Sequence, residues 1–205
     1  MAATYGTKNN MGRNWRHRVL KADENHKPCH FPSILDGLRP DVLEGYRKVA
    51  GVVRVSLEGL LSERLVSVVL FGSVARGDVS DTSDIDLLIV AKNLPDSRFE
   101  RMKLFDEAED LCRDELKAIC DHYGITASFS SIMKDIEEAG RASPLYLDIV
   151  EDGVILYDRD DFMKNVLERL RRKLRELGAR RVWRGKRWHW VLKPEVRVGE
   201  VEEIE

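Results

Sequence analysis

Apolar residues recur every three or four positions from Asp41 to Leu61, which is the spacing of one face of an α-helix. Two short apolar runs follow, from Leu65 to Phe71 and from Ile85 to Val90, both rich in valine, leucine and isoleucine. Runs of this length and composition are typical of strands that are buried on both faces. The pattern therefore predicts one long helix followed by two buried strands.

A second helical pattern runs from Pro95 to His122 and ends at Gly124. Its predicted apolar face consists of Phe99, Met102, Phe105, Ala108, Cys112, Leu116 and Ile119. The residues that follow, from Ile125 to Ile132, predict a third strand.

The last third of the chain gives further strand and helix signals. Val154 to Tyr157 predicts a short strand, and Asp160 or Asp161 is expected to cap a helix that runs through Leu177. Alternating residues on either side of Gly185 predict a β-hairpin. The whole pattern predicts an α/β (α+β) protein. We divide it into an N-terminal arm (1–40), a core (41–160) and a basic C-terminal helix with a hairpin (161–205).

The amino-acid composition excludes several classes of protein. Of 205 residues, 43% are apolar and 34% are charged, which is enough apolar material for a core and excludes a disordered chain. The longest apolar run is the first predicted strand, from Leu65 to Phe71. It is too short to cross a membrane, since a membrane-spanning helix needs about 20 residues. The first 30 residues show no apolar signal segment, and three cysteines do not make a disulfide framework. We therefore expect a soluble, cytoplasmic protein with no membrane partner.

The N-terminal arm contains a group of potential metal ligands, namely His17, His26, Cys29 and His30. Their spacing matches no zinc pattern with paired ligands, and no second group follows in the sequence. A packed or solvated role is therefore favoured over metal binding.

Charge is distributed unevenly, although the net charge is only −2. Between Asp161 and Lys193, 12 Lys or Arg residues stand against 3 Asp or Glu residues. Such a segment either forms a solvated basic face or binds a polyanion. In the same segment, Trp188 and Trp190 share one face of the predicted hairpin. Tryptophans of this hairpin either pack against the last helix or stack on the bases of a nucleic acid.

The residues from Val69 to Val90 carry the strongest chemical signal. The first buried strand ends at Gly72 and Ser73, where a glycine lets backbone amides approach an anion and a serine adds a hydroxyl donor. Asp84 and Asp86 lie two residues apart at the start of the second strand, so their side chains share one face. Two carboxylates near a phosphate-binding turn predict a site for a hard cation such as Mg²⁺. The alternative is that these acids only end a strand.

This stretch resembles the nucleotidyltransferase superfamily typified by DNA polymerase beta and kanamycin nucleotidyltransferase, and most of all its small prokaryotic members, the minimal nucleotidyltransferases. The matching residues are Gly72, Ser73, Ala75, Arg76, Gly77, Ser83, Asp84 and Asp86. The resemblance covers residues 45–160 approximately. It implies a nucleotidyltransferase fold, in which a small mixed β-sheet is flanked by helices.

The resemblance also implies an activity. A nucleoside monophosphate would be transferred from a nucleoside triphosphate, ATP being the first choice, to an acceptor hydroxyl, and pyrophosphate would be released. Asp84 and Asp86 would bind Mg²⁺ or Mn²⁺. The phosphates would be held by Gly72, Ser73, Arg76 and Ser83. Alternatively, Arg76 only pairs with Asp78 or Asp81 at the surface.

One position departs from the superfamily pattern. A third carboxylate is expected on the next strand, and the pattern places it at Ser128. A shift of one residue gives Ala127 or Phe129, and a serine hydroxyl holds its proton too tightly to act as a base at neutral pH. Three interpretations remain open: transfer with two carboxylates, replacement of the third by Asp135 or Asp148, or a nucleotide- or RNA-binding module without transfer.

The sequence leaves the acceptor and the partners open. RNA could bind through residues 164–193, and a small molecule or a protein is an alternative acceptor. The resemblance adds another possibility, because small members of the superfamily often act as antitoxins beside a helical HEPN partner. A homodimer is equally compatible with the sequence.

Overall fold

The computed structural model describes residues 40–80, 82–184 and 187–194. Residues 1–39 of the predicted arm, with the histidines and Cys29, lie outside them. The helices are α1 (Pro40–Leu61), α2 (Gly72–Arg76), α3 (Arg98–Leu111), α4 (Arg113–Tyr123), α5 (Ile136–Gly140), α6 (Pro144–Asp152) and α7 (Phe162–Glu176). The strands are β1 (Leu65–Phe71), β2 (Asp84–Ala91), β3 (Ser128–Lys134), β4 (Val154–Asp158), β5 (Arg180–Arg184) and β6 (Arg187–Val191). Within the described ranges, no helix has both the length and the apolar composition needed to cross a membrane.

Four strands form a mixed sheet in the order β3-β2-β1-β4. β1 is antiparallel to β2 and to β4, whereas β2 and β3 run parallel. β1 is buried along its whole length, as its run of valines and leucines predicts. Because β2 and β3 are parallel, both begin at the same edge of the sheet. This edge carries the predicted acidic residues and the predicted third position.

Helices cover both faces of this sheet. α1, α3 and α4 pack on one face in a first core cluster, which includes Tyr46 and Phe105. α6 and α7 pack on the other face in a second cluster, which includes Leu170. The β5-β6 hairpin adds the partly buried Trp190 and Leu192 to the second cluster. The predicted α/β architecture, with a C-terminal helix and hairpin, is confirmed.

The single helix predicted from Pro95 to His122 is wrong, because the chain forms α3 and α4 with a break at Cys112. At this residue φ is −117° and ψ is 11°, outside the helical region. Cys112 is nevertheless buried, like Phe105 and Leu116 on either side of the break. Since the buried positions keep helical spacing across the break, hydrophobic periodicity could not reveal it.

The predicted apolar face is also wrong at the start of α3. Phe99 and Met102 are 65% and 48% exposed, whereas Arg101 is buried. The Arg101 guanidinium donates to the backbone carbonyls of Pro95 (2.5 Å) and Met133 (3.1 Å). It also donates to the Glu138 carboxylate at 2.5 Å. A buried arginine with these partners takes the inward position that hydrophobicity assigned to its apolar neighbours.

The third strand begins at Ser128, three residues later than predicted. The hydroxyl of Tyr46, which is buried in α1, donates to the Thr126 carbonyl at 3.2 Å. It also accepts a hydrogen bond from the Ser83 backbone N–H at 3.0 Å. The Thr126 carbonyl thus bonds a side chain instead of a neighbouring strand. One tyrosine thereby holds the segments that precede β2 and β3.

Asp161, one of the two predicted alternatives, occupies the N-cap position of α7, but its side chain makes no capping hydrogen bond. The side chain that caps the helix is that of Asp158. The Asp158 carboxylate accepts hydrogen bonds from the backbone N–H groups of Met163 (3.0 Å) and Lys164 (2.9 Å). It also accepts one from the hydroxyl of Ser67, which is fully buried in β1, at 2.5 Å. Asp158 therefore joins the start of α7 to the centre of the sheet.

We expect Asp158→Ala to lower the free energy of unfolding by about 1–3 kcal/mol, because a helix cap is lost and a buried hydroxyl loses its acceptor. Asp158→Asn is the matched control, since its single amide oxygen can accept the bonds from Ser67 and Met163 that Oδ1 accepts, whereas its NH2 group cannot accept the bond from Lys164, so it should lose less stability than Asp158→Ala. Urea unfolding curves of the three proteins measure the difference. Equal losses in both variants would contradict the capping role.

Candidate active site

The turn between β1 and α2 is built around Gly72. Its φ is +73°, a left-handed conformation that favours glycine. A Cβ atom at this residue would lie 2.0 Å from Oδ2 of Asp86 and 2.9 Å from its Cγ. The approach follows from the antiparallel register of β1 and β2, in which Phe71 is paired with Asp86. The Asp86 carboxylate therefore lies against the backbone of the predicted phosphate-binding turn.

The two aspartates share one face of β2, as predicted. Ile85 and Leu87, which alternate with them, belong to the first core cluster. Asp84 and Asp86 therefore point to the face covered by the second cluster. Asp84 is exposed at the start of the strand, and Asp86 is half-buried beside Gly72.

Two serines of β3 stand beside the two aspartates. In the parallel register, Ser128 is paired with Asp84 and Ser130 with Asp86. The Ser128 hydroxyl donates a hydrogen bond to Oδ1 of Asp84. The side chain of Ser130 is hydrogen-bonded to the Asp86 carboxyl. The structure thus brings Ser128 into direct contact with the acidic pair, and it adds a second hydroxyl.

Sequence reasoning missed Ser130. Shifts of one residue from Ser128 give Ala127 and Phe129, whose side chains belong to the opposite face. Both of these residues pack against the first core cluster. A shift of two residues keeps the face, because side chains alternate along a strand, and it gives another serine. Strand alternation alone could therefore have identified Ser130.

Burial raises the pKa of the Asp86 carboxyl. The hydrogen bond from Ser130 opposes this effect, the negative charge of Asp84 adds to it, and the Arg76 guanidinium opposes it again. The net change is upward because burial and the charge of Asp84 together outweigh the hydrogen bond from Ser130 and the charge of Arg76. An additional cation at this edge would therefore stabilise the ionised form of Asp86.

The other three residues predicted to bind phosphate lie in α2 and in the turn before β2. Ser73 lies in the first turn of α2, next to Gly72. Arg76 ends the same helix, and its Nε lies 3.5 Å from Oδ2 of Asp78. Ser83 belongs to the turn before β2, where its hydroxyl accepts a hydrogen bond from the Ser80 N–H at 2.8 Å. The structure therefore gives Ser83 a role within its own turn.

Neither proposed replacement acid lies beside the aspartates with a free carboxylate. Asp135 follows the last residue of β3, at the opposite end of the strand from Ser128. Its carboxylate caps α5 by accepting a hydrogen bond from the Glu138 N–H at 2.8 Å. Asp148 lies in α6, where it accepts a hydrogen bond from the Trp188 indole at 3.1 Å. The seven residues of β3 span about 20 Å, too far for Asp135 to reach the pair.

The donor set fits a divalent cation that binds together with a nucleotide. In the part of the chain that the structure describes, no group of three or more His, Cys, Asp or Glu side chains could hold a metal ion. Mg²⁺ commonly binds through one or two carboxylates and completes its ligand set with substrate phosphates and water. Asp84 and Asp86 match this requirement, and the glycine turn lies within contact of Asp86.

A mixed sheet with two carboxylates beside a Gly-Ser turn is the arrangement expected for nucleotide transfer. The family model described as polymerase beta, nucleotidyltransferase, matches residues 58–162. The chain belongs to this family, which confirms the predicted superfamily, the fold and the class of enzyme. A relative from Methanocaldococcus jannaschii bears the name "putative protein adenylyltransferase". It is 40% identical over 109 residues, which are 52% of this chain and 68% of the relative.

Solved structures give a more distant likeness. A crystal structure described as a "putative nucleotidyltransferase from Sulfolobus solfataricus" is 26% identical. The match covers 60% of this chain and 93% of that chain, with a TM-score of 0.39. A toxin–antitoxin structure with AMP-PNP is 17% identical, with 63% of this chain and 92% of that chain covered and a TM-score of 0.37. The family assignment rests on the sequence matches and not on these scores.

We expect Gly72→Ala to lower the free energy of unfolding by about 1–3 kcal/mol, since alanine is strained at this φ and its Cβ would collide with the Asp86 carboxylate. The same variant should bind Mn²⁺ more weakly, because Asp86 must move. Gly51→Ala is the matched control. A Cβ at Gly51 meets nothing within 4 Å, so alanine in this helix should leave stability equal or higher. Wild-type stability and Mn²⁺ affinity in Gly72→Ala would contradict the close approach.

We expect Ser128→Asp to tighten Mn²⁺ binding by about tenfold or more, because a third carboxylate adds Coulomb attraction beside Asp84. Ser130→Asp tests the neighbouring position on the same face, and Ser97→Asp, at the N-cap position of α3, is the control. Calorimetric titration with Mn²⁺ provides the affinities. If neither β3 variant binds Mn²⁺ more tightly than Ser97→Asp, the serines do not occupy the third-carboxylate position.

Proposed function

We propose that this chain transfers AMP from ATP to a hydroxyl group of a protein, with a divalent metal bound at Asp84 and Asp86. The observation that carries the proposal is the contact between the Asp86 carboxylate and Gly72, since it joins the acidic pair to the phosphate-binding turn. The adenylyl group and the protein acceptor are supported by the name of the relative that is 40% identical.

The proposed roles follow from the positions of the side chains. Asp84 and Asp86 would hold Mg²⁺ or Mn²⁺, and the backbone of Gly72 with the Ser73 hydroxyl would hold phosphate oxygens. Arg76, at the end of the same short helix, would add positive charge. When bound, the metal would neutralise charge on the triphosphate and on the departing pyrophosphate.

The proposed reaction exchanges one bond at the α-phosphorus of ATP for another. The acceptor oxygen forms a bond to this phosphorus while the bond to the oxygen that bridges the α- and β-phosphates breaks. Pyrophosphate leaves with the electron pair, and the acceptor proton passes to solvent. Ser128 and Ser130 donate hydrogen bonds to the carboxylates, and their hydroxyls cannot act as a general base for the acceptor proton. We therefore expect slow transfer at neutral pH and a rate that rises when a more acidic hydroxyl is the acceptor.

RNA is a second candidate acceptor, because the C-terminal region remains strongly basic. Trp183 is 49% exposed, and Arg169, Arg172 and Arg175 are exposed on α7. Part of the positive charge is used within the fold, however, since Arg181 pairs with Asp152. For this reason we favour the protein acceptor. We retain the predicted division of the chain into a core (41–160) and a basic C-terminal region (161–205) as a proposal.

An antitoxin-like role beside a helical HEPN partner, or a homodimer, also remains a prediction. The feature that such partners would use is the exposed apolar pair on α3, formed by Phe99 and Met102. Phenylalanine and methionine are enriched at protein interfaces relative to the rest of the surface. The site residues and the proposed transfer would be the same in either case.

The test is incubation of the chain with ATP labelled at the α-phosphate, Mg²⁺ or Mn²⁺, and a mixture of proteins. We expect labelled protein and an equal amount of pyrophosphate. Asp84→Asn and Asp86→Asn should each reduce labelling by about a hundredfold or more. Removal of an outer-shell partner of a metal site can already lower activity to this extent, and removal of a direct ligand should lower it at least as much. Asp114→Asn is the control, because this residue is an exposed acid on α4.

Labelling of tRNA or single-stranded RNA instead of protein would replace the proposed acceptor and leave the transfer reaction standing. Metal-dependent ATP binding without release of pyrophosphate would contradict transfer and support the nucleotide-binding module. Labelling that is unchanged in both aspartate variants would contradict the proposed site.

A further inference from the structure

The C-terminal hairpin reaches the helix that follows the phosphate-binding turn. Trp188, in β6, lies under the guanidinium of Arg76, with 4.7 Å between the Arg76 Cζ and the centroid of the ring. Arg76 ends α2, only four residues after Gly72, which is a rise of about 6 Å along a helix. A tryptophan more than 100 residues away in sequence therefore contacts an arginine beside the candidate active site.

The indole ring is itself held by α6. Its Nε1–H donates to Oδ1 of Asp148 at 3.1 Å. One helical turn later, Asp152 forms an ion pair with Arg181 of β5, with 3.2 Å between its Oδ1 and the Arg181 Nη2. Asp148 and Asp152 are spaced by four residues, so they lie on one face of α6. This face holds both strands of the hairpin, and the Trp188 ring is further held by Trp183 of β5, whose ring centroid lies 5.2 Å away.

Arg76 has weak polar contacts of its own. Its Nε is buried and has no hydrogen-bond partner among the described residues. The Asp78 carboxylate lies 3.5 Å from it on a side chain that is 71% exposed, and Asp81, the other predicted partner, lies outside the described residues. A surface pair of this kind contributes little to stability. The contact with the Trp188 ring therefore helps to hold the guanidinium in place.

The contact has a chemical consequence for the arginine. An aromatic ring attracts a guanidinium through its π face and offers no acceptor oxygen, so the N–H groups remain able to donate to other partners. Phosphate oxygens are the partners that these groups bind best, often with two parallel hydrogen bonds. A carboxylate in place of the ring would occupy the same donors. The indole thus holds the cation without using the donors that a triphosphate needs.

We propose that Trp188 is a positioning residue for the nucleotide site, acting through Arg76, with Asp148 orienting the indole. This inference rests on the proposed function, because it assumes that Arg76 meets the phosphates of ATP. It extends the site beyond the family match, which ends at residue 162, to the C-terminal hairpin. The hairpin is then part of the nucleotide site and not only a cover for the second core cluster.

The test compares Trp188→Leu, Trp188→Phe, Arg76→Gln and the double variant of Arg76→Gln with Trp188→Leu. Trp190→Phe is the matched control, since Trp190 lies in the same strand and packs against the second core cluster. Three quantities are measured for each full-length protein: the affinity for ATP with Mg²⁺, the affinity for Mn²⁺ alone, and the melting temperature.

We expect Trp188→Leu to weaken ATP binding by about two- to thirtyfold, the range that cation–π energies provide. Arg76→Gln should weaken it at least as much, and the double variant should be no weaker than Arg76→Gln alone. Trp188→Phe keeps an aromatic face and should retain most of the affinity. Affinity for Mn²⁺ alone should stay within about twofold in the two Trp188 variants, which keep the charge of Arg76. In Arg76→Gln it should not fall, because the loss of a positive charge that acts on Asp86 favours a cation at this carboxylate.

Wild-type affinity for ATP in Trp188→Leu would overturn the positioning role, and so would a fully additive loss in the double variant. A loss that follows the melting temperature and appears equally in Trp190→Phe would also overturn it. If the wild-type chain does not bind ATP with Mg²⁺, the proposed function fails and the inference fails with it. The first three outcomes contradict the inference alone.

Discussion

The contact between the Asp86 carboxylate and the backbone of Gly72 is the constraint on which the candidate site depends. It requires a residue without a side chain directly after β1 and an acid at the β2 position that is paired with Phe71. The antiparallel register of these strands places the two together, and the parallel register of β2 and β3 adds the two serines. A slip of one residue in either pairing would turn the acids or the hydroxyls to the opposite face.

Much of the fold could be predicted from the sequence, because its strongest signals are local. β1 matches its prediction at both ends, since a continuous apolar run followed by glycine leaves little choice. The features that were missed depend on contacts between distant segments. The burial of Arg101 needs acceptors from β3 and α5, and the cap at Asp158 needs the Ser67 hydroxyl of β1. Periodicity contains no information about such partners.

The candidate site likewise contains some residues that local spacing reveals and others that depend on contacts between distant segments. The acids and the glycine turn could be found from spacing within 15 residues, and strand alternation starting from Ser128 could have identified Ser130. Trp188 could not be found in this way, because its relation to Arg76 depends on how the hairpin rests on α6. The basic composition of the tail suggested polyanion binding. Its arginines and tryptophans are partly committed to contacts inside the fold.

The hydrogen bonds of Tyr46 have a consequence for what counts as the smallest working unit of this protein. Its hydroxyl joins Ser83 to Thr126, which precede the strands that carry the acids and the serines. Tyr46 lies outside the segment that matches the family, residues 58–162. A fragment cut to the family boundaries would keep every residue of the nucleotidyltransferase motif and lose the tie between the two strands. The segment that the family shares is thus shorter than the part of the chain that holds its site residues in position.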